Sequence, residues 1–168
     1  MRKCLGNKGF SLIEVIIALA IIMVVSGSII SFLLAGSSSY SSVITTTDLQ
    51  KEAQLVMNQI SDIVISAEKE VRYTDSTLEV INENEKYEIS YVPAEKKIYY
   101  KKSVIDTMSR SFELKENVLM AENVTAFSAD VVRAEGKNKI RVKMKLKNNS
   151  QSYVKEEIIT PRNENVVK

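Results

Sequence analysis

Hydrophobic and polar positions divide the chain into three successive patterns. An apolar run covers residues 10–35, and no charged residue occurs between Glu14 and Asp48. A helical stripe of apolar residues follows over 49–67, and alternation of apolar and polar residues begins near residue 73. These patterns predict an α+β protein, in which a long N-terminal helix packs on an antiparallel β-sheet.

The apolar run is long enough to cross a membrane. At about 1.5 Å per residue, a helix over residues 10–36 spans a bilayer with some tilt. Residues 1–9 precede this helix as a short leader that contains Arg2, Lys3 and Lys8. Because positive charge stays on the cytoplasmic side, the pattern predicts a single-pass membrane protein whose C-terminal part lies outside.

The second pattern predicts that the helix continues over residues 37–72 as an amphipathic segment. Its apolar positions recur at spacings of three and four: Leu49, Ala53, Val56, Ile60, Ile63 and Ala67. We expect this stripe to pack on a sheet of the same chain, with a coiled-coil contact between chains as the alternative. Glycine and serine at 36–42 predict a loosened segment, and 26–28 is the other candidate. The alternative for both is a helix-packing face of small residues.

The third pattern predicts a β-rich head domain over residues 73–168. Candidate strands cover 78–81, 86–92, 97–101, 111–115, 124–132, 139–147 and 153–160. Turn residues at 92–96, 135–138 and 148–150 separate several of them. Short turns between consecutive strands favour antiparallel pairing.

A junction motif stands between the leader and the apolar run. Residues 9–14 read G-F-S-L-I-E, so a glycine precedes the run and a carboxylate lies five residues later. An acidic residue near the start of a membrane helix is costly and points to a function. Here the chain resembles the type IV prepilins and pseudopilins, whose class III signal peptides have this junction. A secretory signal ending near residues 25–27 and a plain uncleaved anchor are the alternatives.

The resemblance implies a structural protein that is processed and then assembled into a filament. Prepilin peptidase would cut between Gly9 and Phe10, and the new N-terminus on Phe10 would be methylated. Glu14 would accept the cationic amine of Phe10 from a neighbouring subunit; alternatively its carboxylate reaches the headgroups or is protonated. The implied partners are other pilin subunits, an assembly platform protein and an ATPase, with membrane lipid around the helix before assembly.

The resemblance further implies a minor pilin or pseudopilin. The pattern of residue types over 49–71 resembles that of the same region in J- and W-type minor pseudopilins and pilins. A major subunit is the nearest rival within the class. The machine could be a type IV pilus, a competence pseudopilus or a type II secretion pseudopilus, with the mature protein in a cell-surface filament that takes part in secretion, competence or cell adhesion.

A basic strand is predicted at residues 139–147. Apolar residues alternate there with Lys139, Arg141, Lys143 and Lys145. Such a row could contact DNA phosphates or an anionic surface. The alternative is a solvated outer face, paired with Glu156 and Glu157 of the next strand.

Composition argues against an enzyme. The chain has no histidine, and its one cysteine, Cys4, lies in the leader. A Ser-His-Asp triad, a thiol nucleophile and a histidine-bound metal are therefore excluded from the mature chain. A Ser–Lys dyad at Ser109 is the remaining enzymatic option, and scattered carboxylates leave calcium unsupported. We expect no enzyme activity, cofactor or metal.

Charge also argues against general binding of polyanions. The net charge is +2, with 23 basic and 21 acidic residues. Removal of the leader would take away Arg2, Lys3 and Lys8 and bring the mature chain close to neutrality.

Overall fold

In the residues that the structure describes, the fold consists of one long helix and eight strands. The computed structural model describes residues 11–106, 108–134, 136–163 and 167. These residues form two compact units, the first ending at Val43 and the second, called the C-terminal unit below, beginning at Ile44. The helix is α1 (Leu12–Ile65). The strands are β1 (Glu70–Thr74), β2 (Thr77–Ile81), β3 (Glu85–Val92), β4 (Lys97–Ile105), β5 (Phe112–Ala121), β6 (Val124–Ala134), β7 (Lys137–Asn148) and β8 (Gln151–Ile159).

Helix α1 is continuous through both segments that were predicted to loosen. Residues 26–28 and 36–42 are helical. Serines in the first segment are compatible with the helix because Ser28 donates its hydroxyl proton to the Val24 carbonyl at 3.0 Å. Ser31 makes the same contact with the Gly27 carbonyl at 3.0 Å. These bonds satisfy the hydroxyl groups within the helix itself, as serine commonly does in helices.

The helix ends at Ile65, earlier than the predicted boundary at residue 72. The Ser66 amide still donates to the Asp62 carbonyl at 3.1 Å, whereas the Ile65 carbonyl accepts from the Arg162 amide at 3.2 Å. A distant segment thus satisfies a carbonyl left open at the helix end. The residues that follow at 70–74 form strand β1, so residues 70–72, which the sequence pattern predicts as helix, are a strand instead.

The predicted apolar stripe forms the part of the core contributed by α1, together with Ala67 just after the helix end. The six predicted stripe positions are all buried: Leu49, Ala53, Val56, Ile60, Ile63 and Ala67. Met57 and Val64 are buried as well. The stripe is wider than predicted because this part of α1 packs against antiparallel sheets within the C-terminal unit, and a sheet covers a broad helical face.

The strands form two antiparallel sheets. The first contains β1 to β5 in sequence order, and the second contains β6, β7 and β8 in sequence order. The seven predicted strands are present, although β5 extends to Ala121, beyond the predicted end at residue 115. Register shifts at Ile98/Tyr99 and Lys102/Ser103 of β4 leave Lys115 and Met120 of β5 without a partner on β4. Such bulges interrupt the regular alternation from which strand ends are predicted.

Tyrosines tie the two sheets together. The Tyr73 hydroxyl on β1 donates to the Phe127 carbonyl on β6 at 3.0 Å. The Tyr91 hydroxyl on β3 donates to the Val124 carbonyl on β6 at 3.3 Å. The buried side chains of both sheets and of α1 form one core. The sheets are therefore fixed by apolar burial and by hydrogen bonds at the edge of β6.

Short turns set the strand registers. Gly136, between β6 and β7, has φ of +77°, where a side chain would be strained. Asn149, between β7 and β8, has φ of +52°, a conformation that asparagine tolerates better than most residues. These positions agree with the predicted turns at 135–138 and 148–150.

Candidate functional site

The start of α1 has the geometry of a capping box. The Ser11 amide donates to Glu14 Oε2 at 2.8 Å, and the Glu14 amide donates to Ser11 Oγ at 3.3 Å. Each residue thus satisfies a backbone N–H group that the first turn of a helix leaves open. The spacing S-x-x-E before an apolar run is the sequence signature of this motif. The capping role of Glu14 is not among the roles predicted from the sequence, which are pairing with a neighbour's amine, contact with the headgroups or protonation.

The capping box gives Glu14 a partner in its own chain. Its side chain lies on a helix whose first turns are otherwise apolar, and the next charged residue along the chain is Asp48. Leu12 and Ile13 beside it are strongly exposed. In hydrocarbon an unpaired charge costs about 2.5–3.5 kcal/mol. The Ser11 amide reduces that penalty by donating to one oxygen of the carboxylate, and the remaining acceptor sites of the carboxylate can take a cation.

Helix α1 meets the length and hydropathy requirements of a membrane span. Its most apolar 18-residue window has a mean hydropathy of 2.7 and contains no buried residue. Apolar side chains from Leu12 to Leu34 are exposed around the helix. A surface of this kind is stable in lipid or against other apolar helices. Gly9 and Phe10, the predicted cleavage and methylation positions, lie outside the described residues.

The basic strand predicted at residues 139–147 is β7, and its basic side chains share the face opposite the core. Ile140, Val142, Met144 and Leu146 are buried, whereas Lys143 and Lys145 are exposed. Glu156 on β8 lies opposite Lys143. Its carboxylate is 3.3 Å from Arg141 Nε and 3.6 Å from Lys143 Nζ.

The register of β8 explains which acidic residue pairs with the basic strand. Glu157 lies opposite Val142 and alternates to the other face, so Glu156 alone of the two carboxylates reaches the basic row. Lys139 is half-buried. Glu156 pairs with Arg141 and Lys143 and not with Lys145, which lies opposite Val154, so the face keeps positive charge at Lys145.

A second charged surface lies on β1, β2 and β3. An open groove of about 430 Å³ is lined there by Arg72, Thr74, Asp75, Thr77, Glu79, Glu88 and Ser90. Lys86 Nζ is 3.1 Å from Glu79 Oε1 and 2.5 Å from Glu88 Oε1, and Arg72 also pairs with Glu79. Partial burial favours a raised pKa of Glu79, but hydrogen bonds from Arg72 and Lys86 outweigh it and hold that pKa below its usual value. Arg72 and Lys86 thus neutralise Glu79 and Glu88, and Asp75 lies outside these ion pairs.

The surroundings of Ser109 do not resemble a nucleophile site. Its hydroxyl donates to Asp106 Oδ2 at 2.7 Å and lies 2.7 Å from Ser111 Oγ. The Ser109 amide also donates to Asp106, so the carboxylate organises the turn between β4 and β5. In the part of the chain that the structure describes, no group of three or more carboxylate, histidine or cysteine side chains is placed to hold a metal ion.

Comparison with protein families finds a match at the junction and the helix that follows it. Residues 4–30 match the model of the prokaryotic N-terminal methylation motif, a small part of the 168 residues. A comparison with curated proteins finds no match. Residues 4–30 are therefore similar to the N-terminal methylation motif found at the class III signal peptides of type IV pilins, and together with a helix-on-sheet fold this motif supports a type IV pilin-like protein.

Proposed function

We propose that the protein is a minor pilin or pseudopilin, a structural subunit of a type IV pilus-like filament. The observation that carries this proposal is the methylation motif at residues 4–30. An exposed apolar helix with one carboxylate in its first turn continues from this motif. The minor-subunit assignment is supported by the pattern of residue types over 49–71, which resembles that of J- and W-type subunits. The function is mechanical, and no enzymatic role is proposed.

Processing would begin with hydrolysis of the peptide bond between Gly9 and Phe10 by prepilin peptidase. The reaction consumes one water and leaves a carboxylate on Gly9 and an amine on Phe10. Glycine at this position lets a protease approach the backbone closely. Ser11 would then become the second residue of the mature chain, and methylation of the Phe10 amine would complete the N-terminus.

Assembly would bring Glu14 against the Phe10 amine of a neighbouring subunit. The capping bond from the Ser11 amide orients the Glu14 carboxylate at the beginning of the helix. A cation placed against the same carboxylate forms a charge-assisted contact that is strong in low dielectric. The pair would compensate both charges in the apolar filament interior and would set the relative position of two adjacent helices.

The cellular partners in this proposal are prepilin peptidase, other pilin subunits, a membrane platform protein and a cytoplasmic ATPase. Before assembly the apolar helix would lie in the membrane with the C-terminal unit outside. After assembly the protein would be part of a cell-surface filament. A type IV pilus, a competence pseudopilus and a type II secretion pseudopilus are the candidate machines.

Intact mass and N-terminal sequencing of the protein from its native host test the proposal. The expected mature chain begins with methylated Phe10. A chain that keeps residues 1–9, or one that begins near Ser28, would contradict the proposal and leave an anchored or secreted β-domain.

Substitution Gly9→Leu should block cleavage. A branched side chain at this position would obstruct the approach of the protease to the peptide bond, so the full-length precursor should accumulate in the membrane. The measurement is the ratio of precursor to mature chain on a gel, and Ser26→Leu is the control because it alters the rival secretory site instead. Normal processing of Gly9→Leu, or a block caused by Ser26→Leu, would refute cleavage after Gly9.

The positive charge at Lys145 of β7 supports a second candidate function, binding of DNA or an anionic surface. Changing Arg141, Lys143 and Lys145 together to glutamine should weaken DNA binding and flatten its salt dependence, because each phosphate contact contributes to the salt slope. Binding is measured with the full chain at two salt concentrations. The matched control changes Lys96, Lys97 and Lys101, on and just before β4, to glutamine. Equal binding by wild type and the β7 variant would remove this candidate.

A further inference from the structure

The edge strands of the two sheets differ in how far other residues contact them. Strands β1 and β5 bound the larger sheet, and β6 and β8 bound the smaller one. Val71 of β1 forms a parallel bridge with Val167, so a C-terminal residue covers part of that edge. The carbonyls of Val124 and Phe127 on β6 accept the hydroxyl protons of Tyr91 and Tyr73. An uncovered edge offers unpaired backbone groups to another chain, and proteins commonly cover such edges.

Strand β5 is an exposed edge with apolar side chains. All of residues 112–119 are exposed. Four large apolar side chains are exposed along this stretch: Phe112, Leu114, Val118 and Leu119. Val118 lies opposite the buried Tyr100, whereas Leu119 lies opposite Tyr99, so apolar side chains point to both faces of the sheet. A concentration of this kind is typical of an interaction site.

The other exposed edge has a different character. Strand β8 exposes Val154 and Ile158, and Glu156 lies between them. Glu156 is already held by Arg141 and Lys143 of β7. The central carboxylate of β8 is therefore already paired with the neighbouring strand, whereas in the described residues the ion pair of β5, Glu113 with Lys115, lies within the strand itself.

The charges of β5 are self-complementary. In a two-fold antiparallel pair, one residue lies opposite its own copy, and the flanking residues lie opposite each other. A pair centred on Leu114 places Glu113 opposite Lys115 of the second copy, and this contact occurs twice. Pairs centred on Glu113, Lys115 or Glu116 would instead place like charges opposite each other, which destabilises a sheet.

Lys115 is available for an ion pair with Glu113 of the second copy. The bulge leaves it without a partner on β4. Within the chain its Nζ contacts Glu113 Oε2 at 2.7 Å, and both side chains are more than half exposed. The same two charges can pair across strands without loss of an ion pair, and the backbone of β5 gains hydrogen bonds along its open edge.

We propose that β5 is a dimerisation edge, on which β5 of a second copy of this chain adds antiparallel with Leu114 at the two-fold axis. The result is a continuous ten-stranded sheet across two C-terminal units. This interface does not depend on the filament function, because it uses the β5 edge and not the apolar helix.

Cysteine cross-linking of the full chain in membranes tests the interface. Cys4→Ser first removes the cysteine of the leader. In that background Leu114→Cys should form a disulfide-linked dimer on mild oxidation, since residues opposite each other in adjacent strands bring their Cβ atoms within disulfide range. The matched control is Val154→Cys on β8, because Val154 is 47% exposed and Leu114 is 53% exposed. We expect a dimer yield for Leu114→Cys that is higher than that for Val154→Cys by roughly fivefold or more, because only the β5 edge would hold the two thiols together.

A charge exchange tests the register. In the Leu114→Cys background, Glu113→Lys should lower the dimer yield severalfold, because the introduced ammonium group would face Lys115 of the second copy. Adding Lys115→Glu should restore the yield, because the lysine introduced at position 113 would then pair with the glutamate introduced at position 115 of the second copy. Equal yields from positions 114 and 154, failure of the double exchange to restore cross-linking, or a cross-linked band with a mass other than twice that of the chain would overturn the proposal. Scoring the dimer in membranes separates this outcome from any failure of filament assembly.

Discussion

Glu14→Ala is expected to leave cleavage after Gly9 intact and to lower incorporation into the filament by about 30-fold. The substitution leaves the junction residues 9 and 10 unchanged, so prepilin peptidase should still cut. It removes the carboxylate that would pair with the Phe10 amine of a neighbour. Loss of a contact worth about 2 kcal/mol in the apolar interior corresponds to about a 30-fold change in an equilibrium. The measurement compares the mature subunit in sheared filaments with that in the membrane.

The capping box requires a control that separates charge from helix capping. Glu14→Gln keeps an amide oxygen that can accept from the Ser11 amide, as glutamine does in capping boxes, but it removes the charge. We expect this variant to be processed and to assemble as poorly as Glu14→Ala. Ser11→Ala removes the hydroxyl that caps the Glu14 amide and keeps the charge, so it should assemble far better. Normal assembly of Glu14→Gln would show that Glu14 acts through capping, and would refute the charge pair.

Ile60→Ala is expected to lower the free energy of unfolding of the C-terminal unit by about 2–5 kcal/mol. Ile60 is fully buried in the face of α1 that packs on the sheets. Truncation removes the transfer free energy of the lost methylene and methyl groups and leaves a cavity that neighbours fill only partly. Chemical denaturation of the full chain in detergent, followed by near-UV circular dichroism, measures the effect. This signal reports on the C-terminal unit because all tyrosines except Tyr40 lie there.

Leu55→Ala is the matched control for the core. Leu55 lies on the same helix but is 70% exposed. The change is again from a large aliphatic residue to alanine, which is a strong helix former, so the free energy of unfolding should change by no more than about 0.5 kcal/mol. Equal destabilisation by the two substitutions would contradict the assignment of the buried face.

Local sequence patterns predict some elements of this fold correctly and miss others. The buried stripe of α1 and the alternating faces of β7 agree with the predictions, because the side-chain period of a helix or strand follows from backbone geometry alone. The Ser11–Glu14 capping box was present in the sequence as S-x-x-E and was overlooked. The first three residues of strand β1, 70–72, are predicted as helix because they adjoin a long helical pattern, and a short strand gains its stability from its partner β2.

The amino-acid sequence by itself determined the membrane-compatible helix, the junction at residues 9–14 and the alternation of the longer strands. Each of these depends on residues that are close together in the chain. The tertiary structure alone decided that α1 ends at Ile65, that the strands divide into sheets of five and three, and that distant residues contact the edges of β1 and β6 while, in the described residues, the edge of β5 stays open. These features depend on contacts such as Arg162 with Ile65 and Tyr73 with Phe127, which join distant residues. Their energies become available only when the whole chain folds, so no local pattern encodes them.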